Sequence, residues 1–163
     1  MTDVPSGGID ATKKRLMALI EEAEPSAHAF GDWRIAMENL YGPVTGLKLP
    51  TVTVRISPAT IADLVYSRRI PESGDMALYH FSAHCFTSAC TASGEEDYKH
   101  AHDLADRIMT HLATRDWASA PHTSYGIVDV FDMNGRESEP SKGSRKICRV
   151  IIEGVMLVKR IDA

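Results

Sequence analysis

The chain has 163 residues, 44% of them hydrophobic and 25% charged, and a net charge of −4, as expected for a single globular domain. The mild negative charge gives no electrostatic footprint for nucleic acid and argues against an acidic membrane surface. No apolar run approaches the roughly 20 residues of a membrane span. The first ten residues lack the basic start and apolar run of a signal peptide. We therefore expect a protein that is made and folded in cytoplasm.

The N-terminal part predicts a short arm and a helix. Residues 1–9 are polar and glycine-bearing and are expected to form a flexible arm. A helix is predicted from a cap at Asp10 or Thr12 to about Glu24, where Pro25 ends it. Its apolar residues recur at helical spacing: Leu16, Leu19, Ile20 and Ala23. Acids cluster at its C-terminal end, which is the unfavourable end for anions: Glu21, Glu22 and Glu24.

The segment 27–41 has the least definite pattern. Trp33, Ile35 and Met37 alternate with Arg34, Ala36 and Glu38, which favours a strand, and a short helix is the alternative. The aromatic residues Phe30, Trp33 and Trp117 are either core or rim anchors or hot spots of an interface.

The middle of the chain predicts a β-hairpin followed by a helix. Leu49–Ile56 is rich in β-branched residues, and an extended pattern resumes over Ile61–Ile70. After turn residues at 71–75, Met76–Thr87 predicts the next strand and completes the first hairpin. Ser93 and Glu96 form a capping box for a helix that continues to about Arg115. Its apolar face is formed by Tyr98, Ala101, Ala105, Ile108 and Leu112.

The last two strands are predicted at Tyr125–Met133 and Ile147–Ile161. Asn134-Gly135 is a hairpin signal, but polar residues continue through Lys146, so we predict a long charged tongue at 134–146. Side chains of the last strand should face two ways, with Cys148, Val150 and Ile152 on one side and Ile147, Ile151 and Val155 on the other. Gly154 shifts this alternation and indicates a bulge.

These elements predict one α+β domain over residues 10–163. Its antiparallel or mixed sheet is made of two hairpins, and the N-terminal helix and a long central helix pack on one face. The other face, or an edge of the sheet, is left for a partner.

Seven histidines raise the question of a metal site. His80 and His84 are four residues apart in a predicted strand, so their Cα atoms are about 13 Å apart, too far to share one metal. His100 and His102 are separated by about 200° around a helix. His111 could join a site only through a tertiary contact. We predict neither a metal nor a cofactor.

The sequence does not predict an enzyme. The odd set of Cys85, Cys90 and Cys148 is expected to be buried in a reducing compartment. Cys85 should point away from His84, so the two do not form a nucleophile with its base. Asp129 and Asp132 are isolated acids, and neither a nucleophile elbow nor a phosphate loop is present. No catalytic residue is predicted.

Two basic features, an arginine pair and the tongue, are candidates for an interface. The tongue is either a solvated loop or an arm that reaches a neighbouring subunit or partner. The candidate interface residues are Arg68, Arg69, Arg136, Glu137, Glu139, Lys142, Arg145 and Lys146. Sequence-specific binding of duplex DNA is not expected, because no helix is basic.

The order of these features over residues 10–161 resembles the tail terminator (tail completion) proteins of tailed viruses. The N-terminal helix is followed by Tyr41-Gly42-Pro43 and by the strand entry at 49–54. The capped helix then carries Ala105–Leu112, and the tongue divides the last two strands. The likeness is one of topology and pattern rather than of a motif.

The resemblance implies a structural virion protein without a cofactor. Such a protein forms a homohexameric ring, caps the tail tube and joins it to the neck of the head, so its partners are itself, the tail tube protein and a neck or connector protein. The segment 25–48 is longer than the pattern needs, which leaves a head-closure or neck adaptor protein as an alternative. Two further hypotheses are a small cytoplasmic ligand-binding or enzymatic domain with a pocket near His80, His84 and His111, and an adaptor for one host protein.

Overall fold

The computed structural model describes residues 9–31, 50–58, 76–88, 98–115, 127–138 and 147–159. In chain order, its elements are α1 (Ile9–Ala23), β1 (His28–Phe30), β2 (Thr51–Pro58), β3 (Met76–Ser88), α2 (Lys99–Ala113), β4 (Ile127–Ser138) and β5 (Ile147–Lys159). No helix in these ranges is long and apolar enough to cross a membrane.

The strands form one five-stranded mixed sheet in the order β1-β2-β3-β5-β4. β1 pairs with β2 in parallel, and the other pairings are antiparallel. The α+β class is therefore confirmed. The finer arrangement as two hairpins depends on residues 59–75 and 139–146, which lie outside the described residues, and it stays a prediction.

Both helices pack on one face of this sheet. Every second residue of β3 belongs to the same buried cluster as the apolar stripes of the helices: Tyr79, Phe81, Ala83 and Cys85. From α1 the cluster takes Leu16, Leu19 and Ile20, and from α2 it takes Ala101, Leu104, Ala105, Ile108 and Leu112. The sequence predicted most of these residues, because a helix that covers a sheet buries one stripe of side chains.

α1 starts earlier than predicted, at Ile9. Neither Asp10 nor Thr12 is its cap: Asp10 lies in the first turn and pairs with Lys14 at 3.1 Å, and Thr12 is fully buried inside the helix. The predicted arm lies almost entirely outside the described residues.

The acids at the C-terminal end of α1 have partners elsewhere in the fold. Glu24 pairs with Arg107 of α2, and Glu22 accepts a hydrogen bond from Arg115 at 2.9 Å. Hydrogen bonds from the Ser26 side chain and from Arg107 hold the pKa of Glu24 below its ordinary value. The unfavourable position of these acids relative to the helix dipole is thus offset by Arg107 of α2 and by Arg115, which lies just after α2.

α2 starts later than predicted, at Lys99, with Tyr98 at the N-cap and no side-chain hydrogen bond to the cap. The predicted capping box, Ser93 and Glu96, lies outside the described residues. The helix ends at Ala113, close to the predicted end.

Residues 27–41 contain one described strand, β1, which lies before the alternating residues. The three residues of β1 pair with Thr51–Thr53 of β2. The alternating residues Trp33, Ile35 and Met37 lie outside the described part of the chain, as does Trp117. Because the parallel pairing joins segments about twenty residues apart, the local pattern carries no sign of it.

The prediction of a turn at Asn134-Gly135 was wrong, because β4 continues to Ser138. The change from apolar to polar residues after Phe131 marks a bulge in β4 instead of a turn. Phe131 pairs with Val155 and the next pair is Asn134 with Glu153, so Asp132 and Met133 lie opposite one residue of β5. Any tongue therefore begins after Ser138, and residues 139–146 lie outside the described ranges.

The bulge predicted at Gly154 is thus placed in the wrong strand. β5 keeps an unbroken register with β3 throughout. The extra residue belongs to β4, where Asp132 and Met133 lie opposite Gly154.

Candidate functional site

The face of the sheet away from both helices, which we call the second face, carries a polar row beside an apolar cluster of Phe131, Val155 and Leu157. The register brings Arg55 of β2, Ser82 of β3, Glu153 of β5 and Asn134 of β4 into one row. Because side chains alternate along a strand, these residues point away from the buried helix-side cluster. His80 lies in the next row, paired with Ser57 and Val155.

An open cavity of about 670 Å³ is lined by residues of these two rows, by helix-side residues of β2 and β3, and by Lys13 of α1. Its charged lining residues are separated across the sheet. Lys13 and Arg55 lie at the β2 side, and Glu153 and Asp132 lie at the β5–β4 side. His80 and Ser82 of β3 lie between the two charged ends.

Asp132 stands out in this cavity because of its backbone and its carboxylate. It is the one non-glycine residue with positive φ, at 52°, among the described residues, a conformation that aspartate and asparagine adopt more readily than most residues. Its Oδ2 atom is buried and accepts no hydrogen bond from any described residue. Glu153, in contrast, accepts a hydrogen bond from Arg136 at 3.1 Å.

His84 lies on the second face, where the charges of three arginines and of Glu153 act on it. Burial, together with the charges of Arg149, Arg55 and Arg136, lowers the pKa of His84 from 6.5 to about 4. The imidazole is therefore neutral at pH 7 and stacks against Phe86, with 6.5 Å between ring centroids.

The structure does not bring His80, His84 and His111 together in one pocket, as the ligand-binding hypothesis would require. His80 lines the cavity, whereas His84 and His111 do not. His111 lies on α2 in the helix layer, 3.7 Å from Glu22, so the sheet separates it from the other two. Within the described ranges, no three His, Cys, Asp or Glu residues are grouped so as to hold a metal ion.

Cys85 lies on the helix side of β3, away from His84, as predicted. It is fully buried, and this burial raises the pKa of its thiol to about 12. The thiol is therefore protonated and inaccessible, and it cannot act as a nucleophile. Cys148 is also buried, and Cys90 lies outside the described residues.

Two of the eight candidate interface residues are described, and they lie on opposite sides of β4. Arg136 is on the second face, paired with Glu153, and its side chain is 56% exposed. Glu137 is on the helix side, 2.8 Å from His102 of α2, and its side chain is 55% exposed. The other candidates lie outside the described ranges: Arg68, Arg69, Glu139, Lys142, Arg145 and Lys146.

Sequence reasoning missed the cavity. Asp132 was interpreted as an isolated acid, and Lys13, Arg55 and Glu153 were not singled out. One local signal was available, because the polar residues from Asp132 to Gly135 interrupt an apolar strand and could have indicated a bulge as well as a turn.

A scan against models of known protein families and a search of curated proteins each found no match.

Proposed function

We propose that this chain is a structural virion protein of a tailed virus, a tail terminator that closes the tail tube as a homohexameric ring. In this role it would join the tube to the neck of the head, with the tail tube protein, a neck or connector protein and copies of itself as partners. The resemblance over residues 10–161 suggests this function. One feature of the sheet supports it.

That feature is the exposed outer strand of the sheet. β4 is the terminal strand, paired with β5 and with no other described strand, and Asn134–Glu137 are exposed. An outer strand has backbone groups that a neighbouring chain can bind. Head-to-tail contacts between identical subunits close into a ring when the rotation allows it, and Arg136 and Glu137 would set the specificity of such a contact.

The first test is the assembly state of the purified protein, alone and with isolated tail tubes. Light scattering and negative-stain electron microscopy should show rings free in solution or at the ends of tubes. A protein that stays monomeric and leaves the tube ends bare would refute the proposal. Rings that bind an isolated neck or connector complex, but not tube ends, would favour the head-closure alternative.

A charge reversal tests whether the β4 surface forms the subunit contact. Arg136→Glu should abolish the rings, because it places an acid beside Glu153 and removes an exposed cation from the outer strand. Lys14→Glu is the matched control, since Lys14 is an exposed cation on α1 whose side chain is 70% exposed. Rings that persist in Arg136→Glu, or that are lost equally in both variants, would contradict the use of this surface.

A further inference from the structure

We propose that the outer side of β2 at residues 55–58, which we call the β2 edge, binds an extended acidic peptide segment of another protein as an added β-strand. The β2 edge lies on the side of β1, at the opposite end of the sheet from β4. The site therefore goes beyond the proposed virion function, and it can be tested on a single chain whether or not the protein forms rings.

β1 covers only the first part of β2. Its three residues pair with Thr51–Thr53, and no described strand pairs with residues 55–58 on this side. The N–H and C=O groups of alternate residues point to the same edge of a strand. Because the His28 N–H donates to the carbonyl oxygen of Pro50 at 3.1 Å, the even-numbered residues of β2 point towards β1. Ile56 therefore presents its N–H and C=O groups at the β2 edge, beyond the end of β1.

The outer side of β1, in contrast, is closed by a side chain. Ala29 is the residue of β1 whose backbone groups point away from β2, and its N–H donates to Oε1 of Glu21 at 3.4 Å. Such a cover keeps an outer strand from pairing with another chain. At the β2 edge the open cavity takes the place of a cover, and Ile56 is one of its lining residues. Pro58 has no N–H, so an added strand should end there.

Cationic side chains lie beside the β2 edge on both sides of the sheet. Lys13 of α1 lies on the helix side and donates one hydrogen bond, to the carbonyl oxygen of Gly31 at 3.4 Å. Arg55 lies on the second face, where its side chain is exposed and no described acid forms an ion pair with it. Successive side chains of a strand point to opposite faces. Two adjacent acids of an added strand would thus meet one cation each.

The acids of the cavity lie farther from the β2 edge. Arg55 and Glu153 are both paired with Ser82, so Glu153 lies two strands away from Arg55, at about 10 Å between Cα atoms. Glu153 is also paired with Arg136. The charges beside the β2 edge therefore favour an acidic strand over a basic one.

An added strand can use the backbone and the charges together. Its main-chain groups would bond to Ile56 and supply affinity, while its alternating side chains would supply specificity. Residues 55–58 span about 10 Å at about 3.3 Å per residue. A peptide of six residues is therefore long enough to cover the β2 edge.

Nuclear magnetic resonance titration with the peptide Thr-Val-Glu-Glu-Val-Thr, blocked at both ends, tests the proposal. One matched probe carries Lys-Lys in place of Glu-Glu, and the other carries N-methyl groups on the backbone nitrogens of both glutamates. We expect the acidic peptide to shift the Ile56 amide signal saturably, with a dissociation constant of about 1 mM or below. Both matched probes should bind at least about tenfold more weakly, because one reverses the charges and the other removes a backbone donor.

Three results of this titration would overturn the assignment. They are no saturation by the acidic peptide up to about 20 mM, equal binding of the three probes, and shifts centred on β4 instead of Ile56. A shift of the Ile56 amide on concentrating the protein alone would also overturn it, because the occupant would then be a second copy of this chain.

Substitution of the two cations locates the side chains of the added strand. Arg55→Gln and Lys13→Gln should each weaken the acidic peptide about two- to fivefold, and the double variant should bind the acidic and the Lys-Lys peptides about equally. Lys14→Gln removes an exposed cation of α1 that does not line the cavity, so it should change neither affinity. The spectra show whether each variant is folded. An unchanged preference for the acidic peptide in the double variant would overturn the proposal.

Discussion

Gly154 occupies a point of close contact in the sheet, opposite the β4 bulge. A methyl group built on its Cα would come within 2.7 Å of the Phe81 ring and 2.9 Å of Met133. Gly135, on the neighbouring strand, has more room for a methyl group. The nearest atom to such a methyl is the terminal carbon of the flexible Met109 side chain, at 3.3 Å. The two glycines therefore differ in how much space a side chain would find.

Alanine substitutions at these positions should differ in cost. We expect Gly154→Ala to lower the free energy of unfolding by about 1–3 kcal/mol, since a phenylalanine ring in a packed core cannot move aside freely. Gly135→Ala should change it by less than about 0.5 kcal/mol. Urea denaturation of both variants measures the difference, and equal effects would contradict the contact described here.

His84 makes the stability of the fold depend on pH. Its pKa is lowered from 6.5 to about 4 in the folded protein, so the unfolded chain binds the proton more tightly. The stabilisation from the neutral imidazole is complete above pH 6.5 and is lost as the pH falls from 6.5 towards 4.

We therefore expect His84→Gln to reduce the loss of stability between pH 7 and pH 4.5. The comparison uses the change in urea midpoint over this interval, which separates the titration from any constant cost of the substitution. His100→Gln, at an exposed position of α2, is the control. If the wild type and His84→Gln lost the same stability, the assigned pKa shift would be wrong.

At the scale of elements, two ion pairs connect the C-terminal end of α1 with α2 and the residues just after it. The Arg115 side chain is 6% exposed and its partner Glu22 is 46% exposed. The Arg107 side chain is 59% exposed and its partner Glu24 is 17% exposed. Removal of Arg115 takes away a buried side chain and its hydrogen bond to a charged group. Removal of Arg107 takes away an exposed side chain, and Glu24 keeps the hydrogen bond from the Ser26 hydroxyl.

Neutral substitutions should separate the two pairs. Arg115→Gln should lower the free energy of unfolding by about 1–3 kcal/mol, and Arg107→Gln by less than about 1 kcal/mol. A double-mutant cycle with Glu22→Gln shows how much of the first value belongs to the pair itself. A larger loss in Arg107→Gln would reverse the ranking.

The elements also show what local pattern can predict. The helix stripe through Leu16, Leu19 and Ile20 and the two-sided alternation of β5 follow from periodicities within one segment, and both were predicted. The bulge at Asp132 was interpreted as a hairpin because a polar Asn-Gly step has the same composition in either structure. The pairing of β1 with β2 depends on tertiary contacts that no segment contains.

At the scale of the whole molecule, the residues of the candidate site come from separate parts of the chain. Lys13, Arg55, His80, Asp132 and Glu153 belong to five different elements. The strand order and the packing of α1 together bring them to one cavity, so no spacing in the sequence could have predicted it. A short linear motif can be recognised in a sequence, whereas a site whose residues come from five separate elements cannot.

The buried thiols provide a measurement of global unfolding. Cys85 lies in β3 and Cys148 in β5, both inside the core. In a Cys90→Ala variant, we expect a thiol reagent to label neither residue quickly without urea, because neither thiol is accessible and that of Cys85 is protonated. Labelling should accelerate with urea in parallel with the loss of helical circular dichroism. Rapid labelling of the native protein would show that the core opens locally.

The position of β5 has a consequence for synthesis. β5 is the last described strand in the chain, and it lies between β3 and β4, which do not pair with each other. A nascent chain that has reached β4 therefore holds two strands whose inner edges have no partner, and such edges are prone to aggregate. The ribosome must deliver residues 147–159 before the sheet can close. A truncated messenger RNA that ends within this stretch would yield a chain without an intact β5, the strand that joins β3 to β4. We expect such a chain to be degraded rather than assembled.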